Sequence, residues 1–171
     1  TPAQSVDLVR EGTWVGVLSG RDSAHIAGLP PGGMVRGDGF ARMPMVRMTN
    51  VGLRPGESSL EEIIASTEYG IYMATNRSWS IDDKRLNFQF GCEVAWEVVD
   101  GRLGRMLKNP TYTGITPVFW GSMDMLAGGE EWHAWGTPNC GKGQPLQIGH
   151  TGHPAAPARF RDVRIGVAGR G

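Results

Sequence analysis

The chain has 171 residues with 17 Lys and Arg against 17 Asp and Glu, so its formal net charge is zero with the histidines neutral, and 40% of it is hydrophobic, enough to bury a core. Neither sign of charge gathers into a run that could track a phosphate backbone, which argues against nucleic acid; no apolar run reaches the ~20 residues that cross a bilayer and no signal-peptide core is present, which argues against a membrane. The two cysteines sit in contexts too different for a disulfide framework, so a reducing, cytoplasmic setting is expected.

Glycine, at 26 residues, is about twice its average usage, and 11 prolines join it, spread between patterned segments as turns between short strands. Residues 13–18 (TWVGVL) read as a short strand, followed by a brief helical stretch around 22–27. The glycine- and proline-rich segment 28–39 reads as a mobile loop or an ordered lid. Arg47, Thr49 and Asn50 follow in an extended segment expected to rejoin the sheet. A helix is predicted over 58–67, with Ser58 and Glu61 as a capping box and Leu60, Ile63, Ile64 and Thr67 on its packing face.

From Leu86 the period changes to two, and Phe88, Phe90, Cys92, Val94, Trp96 and Val98 point one way in a long half-buried strand. Asp100-Gly101 is a type I′ hairpin signal, so 102–113 should return antiparallel. Thr116 as N-cap with Pro117 in the first turn predicts a second helix over 117–126. A short strand at 132–135 should lead into a cysteine loop, and 159–167 should form a terminal strand. These elements describe a β-rich α+β domain, with an antiparallel sheet curled into a barrel-like or sandwich core and two short helices.

The run TPNCGKGQP, residues 137–145, carries the chemistry. It places Cys140 among glycines with Lys142 two residues on, in a loop whose backbone can approach a metal or a substrate. A thiol beside a cation in such a loop can be a thiolate, the form that binds zinc or attacks an electrophile. Cys92, on the apolar face of a strand, reads as buried and inert. His150 and His153 follow Cys140 at the spacing C-x9-H-x2-H, which could give a three-ligand zinc site, although this spacing matches no defined zinc pattern and GHTGHP reads as a polar loop. Lys142 with a histidine base could instead activate Cys140 as a nucleophile, but the residues fix no such partner. Phosphate-cradling loops place Ser or Thr after the lysine, where GKGQ has Gly143. The neighbouring carboxylates Asp82-Asp83 and Glu130-Glu131 would point apart on a strand and read as turns, not as an acid/base pair.

The run RMPMVRMTNVGLRPGESSLEEIIASTEYGIYM (42–73), the long hairpin, NCGKGQP and the closing RFRDVRIG together resemble the C-terminal domain of the TldD/PmbA family, over about residues 8–166. TldD-type members are cytoplasmic zinc metallopeptidases acting on peptides beside a PmbA-type (TldE) partner that lacks the metal ligands, and an older label ties the family to modulation of DNA gyrase. The resemblance implies an N-terminal domain with an H-E-x-x-x-H helix supplying two histidine ligands and a glutamate base. It implies a third ligand at Cys140, and substrate contacts at Asn139, Gly141, Lys142 and Gly143. No H-E-x-x-x-H occurs in these residues. Since a catalytic zinc needs about three protein ligands and one position for water, residues 1–171 are expected to be the single C-terminal domain of a larger protein, inactive alone. A start at Thr1-Pro2 fits that expectation. Its partner would be a peptide substrate and either a TldE-like chain or a second copy in a dimer; the contrasting reading is a non-catalytic interaction or dimerisation module with a structural cysteine loop.

Overall fold

The computed structural model describes residues 1–168. Strands β1 (Val9–Arg10) and β2 (Thr13–Trp14) form a small hairpin, with Val9 opposite Trp14. The strand expected over 13–18 stops at Trp14, because the Val15 and Gly16 N–H groups both turn back to the Leu8 carbonyl. A 3₁₀ turn follows at Ala24–Ala27. Within the glycine-rich segment β3 (Val35–Arg36) pairs with β4 (Met45–Val46), so the segment expected to rejoin the sheet gives two residues to a two-stranded ribbon, while Arg47, Thr49 and Asn50 lie in no strand.

Helix α1 (Leu60–Ala65) is one residue out of phase with the expected capping box. Ser59 is the N-cap: its hydroxyl accepts from the Glu62 N–H at 3.0 Å, and the Glu62 carboxylate accepts from the Ser59 N–H at 2.8 Å. Ser58 is used elsewhere, donating its N–H to the Leu126 carbonyl and bridging to Ala127. Both carboxylate oxygens of Glu131 accept from the Leu60 N–H at 2.9 Å, placing negative charge at the helix start.

Strand β5 (Tyr69–Ile81), unanticipated in the sequence, pairs along its length with β6 (Asn87–Val99). Asp82 closes the connection by accepting from the Leu86 and Asn87 backbones and the Asn87 amide, which together hold its carboxyl below the usual range, the Asn87 side chain contributing most. Asp100 and Gly101 both have positive φ, 48° and 74°, and lead into β7 (Arg102–Leu107). The antiparallel return breaks at Lys108-Asn109 and resumes as β8 (Pro110–Ile115), so that β7 lies on 95–99 and β8 on 87–91 of the same edge of β6.

Helix α2 (Thr116–Gly121) is shorter than expected. Thr116 does not cap it; its hydroxyl donates to the Arg85 and Leu86 carbonyls. Residues expected to continue the helix form β9 (Met123–Leu126) instead, and a 3₁₀ turn at Gly129–Glu131 precedes β10 (His133–Lys142) and β11 (Gln147–Ala155). The terminal strand is two, β12 (Ala158–Phe160) on β9 and β13 (Arg164–Val167) on β8, separated where Asp162 takes a φ of 53°.

The chain folds as two compact units. Residues 1–54 and 133–155 hold β1 to β4 with β10 and β11, as three two-stranded ribbons. Residues 55–132 and 156–168 hold both helices, the β9–β12 pair and the five-stranded antiparallel sheet, in which β13, β8, β6 and β5 lie in order and β7 joins β6. The class is β-rich α+β, as expected; the main sheet is open, running from β13 to β5, and among the described residues no sheet closes into a barrel. In the second unit Ile63, Ala127 and Ala156 form a buried cluster, and Ala95 and Val98 of β6 are almost wholly buried. An aromatic group joins α2 to the sheet, with Phe119 edge-on to Phe88 at 5.1 Å and stacked on Phe160 at 4.0 Å. No helix among the described residues is long and apolar enough to cross a membrane.

Candidate functional site

The cysteine run is a strand and a turn, where a glycine loop was expected. β10 and β11 pair antiparallel from His133 opposite Ala155 to Lys142 opposite Gln147. Pro138 has no N–H to give the ladder. Between Thr137 (opposite Thr151) and Cys140 (opposite Gly149), Pro138 and Asn139 stand against the single residue His150, which is a β-bulge. Bulges re-aim the side chains beside them, and this one immediately precedes Cys140, whose residue is half-buried. Asn139 and Gly141 flank it on β10, Lys142 ends the strand, and Gly143 begins the turn to β11.

Arg47, 4% exposed, fixes this region from the segment after β4. One terminal nitrogen of its guanidinium donates to the Gln147 carbonyl at 3.1 Å and the other to the Cys140 carbonyl. The group lies flat against Gly149, where a Cβ would come within 2.8 Å of the guanidinium carbon, so only glycine permits this approach. The Lys142 ammonium donates to the Val46 carbonyl. It thereby ties the end of β10 to β4.

His150 and His153 lie on a strand, not in the polar loop the sequence implied. Both ring nitrogens of His153 are engaged inside the chain, Nε2 with the Thr151 hydroxyl at 2.7 Å and Nδ1 with the Val51 carbonyl at 2.9 Å. Among the described residues no group of three or more His, Cys, Asp or Glu side chains could hold a metal ion, so a site made of Cys140, His150 and His153 is not formed. The ribbon offers one thiol, Cys140. By itself, then, this donor set does not fit a catalytic zinc, which needs about three protein ligands.

Cys92 is buried in the other unit, 3.7 Å from the Met73 sulfur, and burial pushes its thiol up from the ordinary range, as expected of an inert cysteine. It borders an apolar cavity of about 710 Å³ that includes Ile63, Tyr72, Met73, Phe119 and Phe160. Burial likewise pushes the Tyr112 hydroxyl at its wall up to about 12. Sequence reasoning named Arg47 only as part of an extended segment. Its burial and its grip on the Cys140 carbonyl arise from a partner 93 residues away, a pairing no local pattern encodes.

The family model for the PmbA/TldA metallopeptidase C-terminal domain matches residues 1–166. The chain belongs to this family. Relatives of the PmbA/TldA domain include a metalloprotease of Synechocystis sp., 31% identical over 96% of this chain, and the metalloprotease TldD homolog of Haemophilus influenzae, 29% identical over 96%. The matched regions are 35% and 34% of those proteins, so the chain spans about a third of their length. Two solved structures share the fold. TldE from Thermococcus kodakarensis has a TM-score of 0.73 at 17% identity, and a candidate modulator of a DNA gyrase from Thermotoga maritima has 0.71 at 15%. They cover 96% and 97% of this PmbA/TldA chain, which in turn is 34% of each.

Proposed function

We propose that this chain is the C-terminal domain of a TldD-type zinc metallopeptidase, working in the cytoplasm on peptides, and that Cys140 is its metal ligand. Membership in a family whose relatives are named metalloproteases supports the reading, and one observation carries it: Cys140 follows a bulge and its carbonyl is clamped by a buried guanidinium. Rigid support of this kind is what a ligand requires if it is to meet donors brought from another segment. The remaining ligands and the general base lie outside residues 1–171, and so does hydrolysis.

Asn139, Gly141, Lys142 and Gly143 supply the neighbouring substrate contacts, the backbone of the two glycines leaving room for an extended peptide. A TldE-like chain or a second copy is the partner. An open strand edge favours the contrasting interaction module: β5 offers 13 residues of edge with β6 on one side. Zinc content and peptide cleavage by the full-length protein separate the two. Cys140→Ala is expected to lose at least about 90% of bound zinc and activity, since losing one of three ligands weakens a site far more than losing an outer-shell partner, itself worth about 10- to 100-fold. Full zinc occupancy and full activity in that variant would leave the interaction module as the reading.

A further inference from the structure

A cavity of about 220 Å³ lies in the first unit, lined by Arg36, Asp38, Arg47, Ile148, Gly149 and His150, with Gly37 between the first two. It adjoins the cysteine region directly, because Gly149 is the ladder partner of Cys140 and Arg47 holds the Cys140 carbonyl. Two cations border it without counter-ions. Arg47 is buried and Arg36 half-buried, and among the described residues neither has a carboxylate within ion-pair reach. Their terminal nitrogens donate only to backbone carbonyls, Arg36 to Met48 at 3.0 Å and His150 at 2.6 Å, Arg47 to Gln147 and Cys140. In both, the buried Nε–H has no acceptor.

Buried charges in proteins are paired, and buried donors are satisfied. Arg47 breaks the first rule, a buried guanidinium without a counter-ion, and the half-buried Arg36 sets a second unpaired cation on the same cavity, so one anion there would supply the missing charge to both. Asp38, the acidic residue of the lining, does not fill this role. Its carboxylate accepts from the Ile148 N–H at 3.0 Å and pairs with Arg42 at 3.3 Å. The cavity holds several times the ~30 Å³ of a liquid water, room for one charged end group with its waters. A planar carboxylate matches the guanidinium fork.

We propose that this cavity receives a carboxylate of the peptide substrate, held between Arg36 and Arg47 beside the Cys140–Gly149 pair, so that the enzyme selects peptides by an acidic group close to the bond it cleaves. The proposal rests on the peptidase reading and is tested apart from it by binding to full-length protein stripped of metal with a chelator, where a carboxylate cannot bind through zinc. Calorimetric titration compares one N-acetylated peptide as its free C-terminal acid, as its C-terminal amide, and as an amide ending in Glu. The acid, the Glu amide, or both should bind about tenfold or more tightly than the plain amide, and which of them does so identifies the terminal or the side-chain source. Arg36→Gln should abolish the difference, while Arg36→Lys, which keeps the charge, should retain part of it and guards against a folding defect in the first variant. Equal binding of acid, Glu amide and plain amide, or no binding of any, overturns the proposal. So does an undiminished preference in Arg36→Gln, or inorganic phosphate binding as tightly as the best peptide, which would mark a general anion site. The peptidase reading stands or falls separately, on zinc content and cleavage of the plain amide.

Discussion

Arg47 spans two backbone carbonyls with one planar fork, and its value lies in that geometry more than in its charge. A lysine brings one compact ammonium and cannot hold Gln147 and Cys140 in the same arrangement. Arg47→Lys is therefore expected to lower unfolding stability by about 2 kcal/mol, the loss of one charge-assisted hydrogen bond, as read by denaturant midpoint. Wild-type stability in that variant would show that the clamp is dispensable. Asp124 gives a pH-dependent counterpart. Arg159 binds both its oxygens at 2.9 and 2.8 Å and Arg161 adds a contact at 2.6 Å; these bonds, that of Arg159 foremost, lower its carboxyl from 3.8 to about 2. A depressed folded-state value means that the stabilisation is fully present above about pH 4 and fades as the pH falls through about 2. With the side chain 34% exposed, solvent screening leaves about 1 kcal/mol. Asp124→Asn should cost that much at pH 7 and progressively less as the pH falls from about 4 through about 2 in matched unfolding curves. At this scale the sequence showed Cys140 and its neighbours plainly, and Cys92 as a core thiol. It could not show Arg47, whose role depends on segments far apart in the chain.

The strongest element signals are those with a local cause. Asp100-Gly101 makes the hairpin because both residues take positive φ, and the β6 alternation is visible because Phe88, Cys92 and Val98 are buried while Asn87, Gln89 and Glu93 are exposed. Gly101→Ala should destabilise by about 2 kcal/mol or more, combining the left-handed backbone penalty with a Cβ only 2.6 Å from the Ala65 carbonyl oxygen. Thermal unfolding checks this; an unchanged midpoint would mean that the turn can rearrange. Elements were missed where local and tertiary preferences diverge. β5 does not alternate clearly: after an exposed Tyr69, residues 70–74 are half-buried in succession and the remainder exposed, so its strand state comes from pairing with β6. The glycines and proline around Cys140 suggested a loop, yet a bulged ribbon accommodates them by leaving Pro138 and Asn139 out of the ladder. Helix α2 ended early because Met123 to Leu126 serve the pairing with β12.

For the whole molecule the fact that matters is extent. The chain matches a third of its relatives' length, and where a catalytic metal needs about three ligands, no three His, Cys, Asp or Glu side chains gather to hold one among the described residues. Its two units divide the labour by chemistry: one carries the cysteine ribbon, the buried Arg47 and the cationic cavity, the other the long sheet with its apolar cavity. The most direct test of the central claim is the near-ultraviolet spectrum of the full-length protein loaded with cobalt(II). Cys140 as a ligand predicts a thiolate-to-cobalt charge-transfer band in the wild type that is absent from Cys140→Ser. A wild-type spectrum without that band, or a band that survives the substitution, would contradict it.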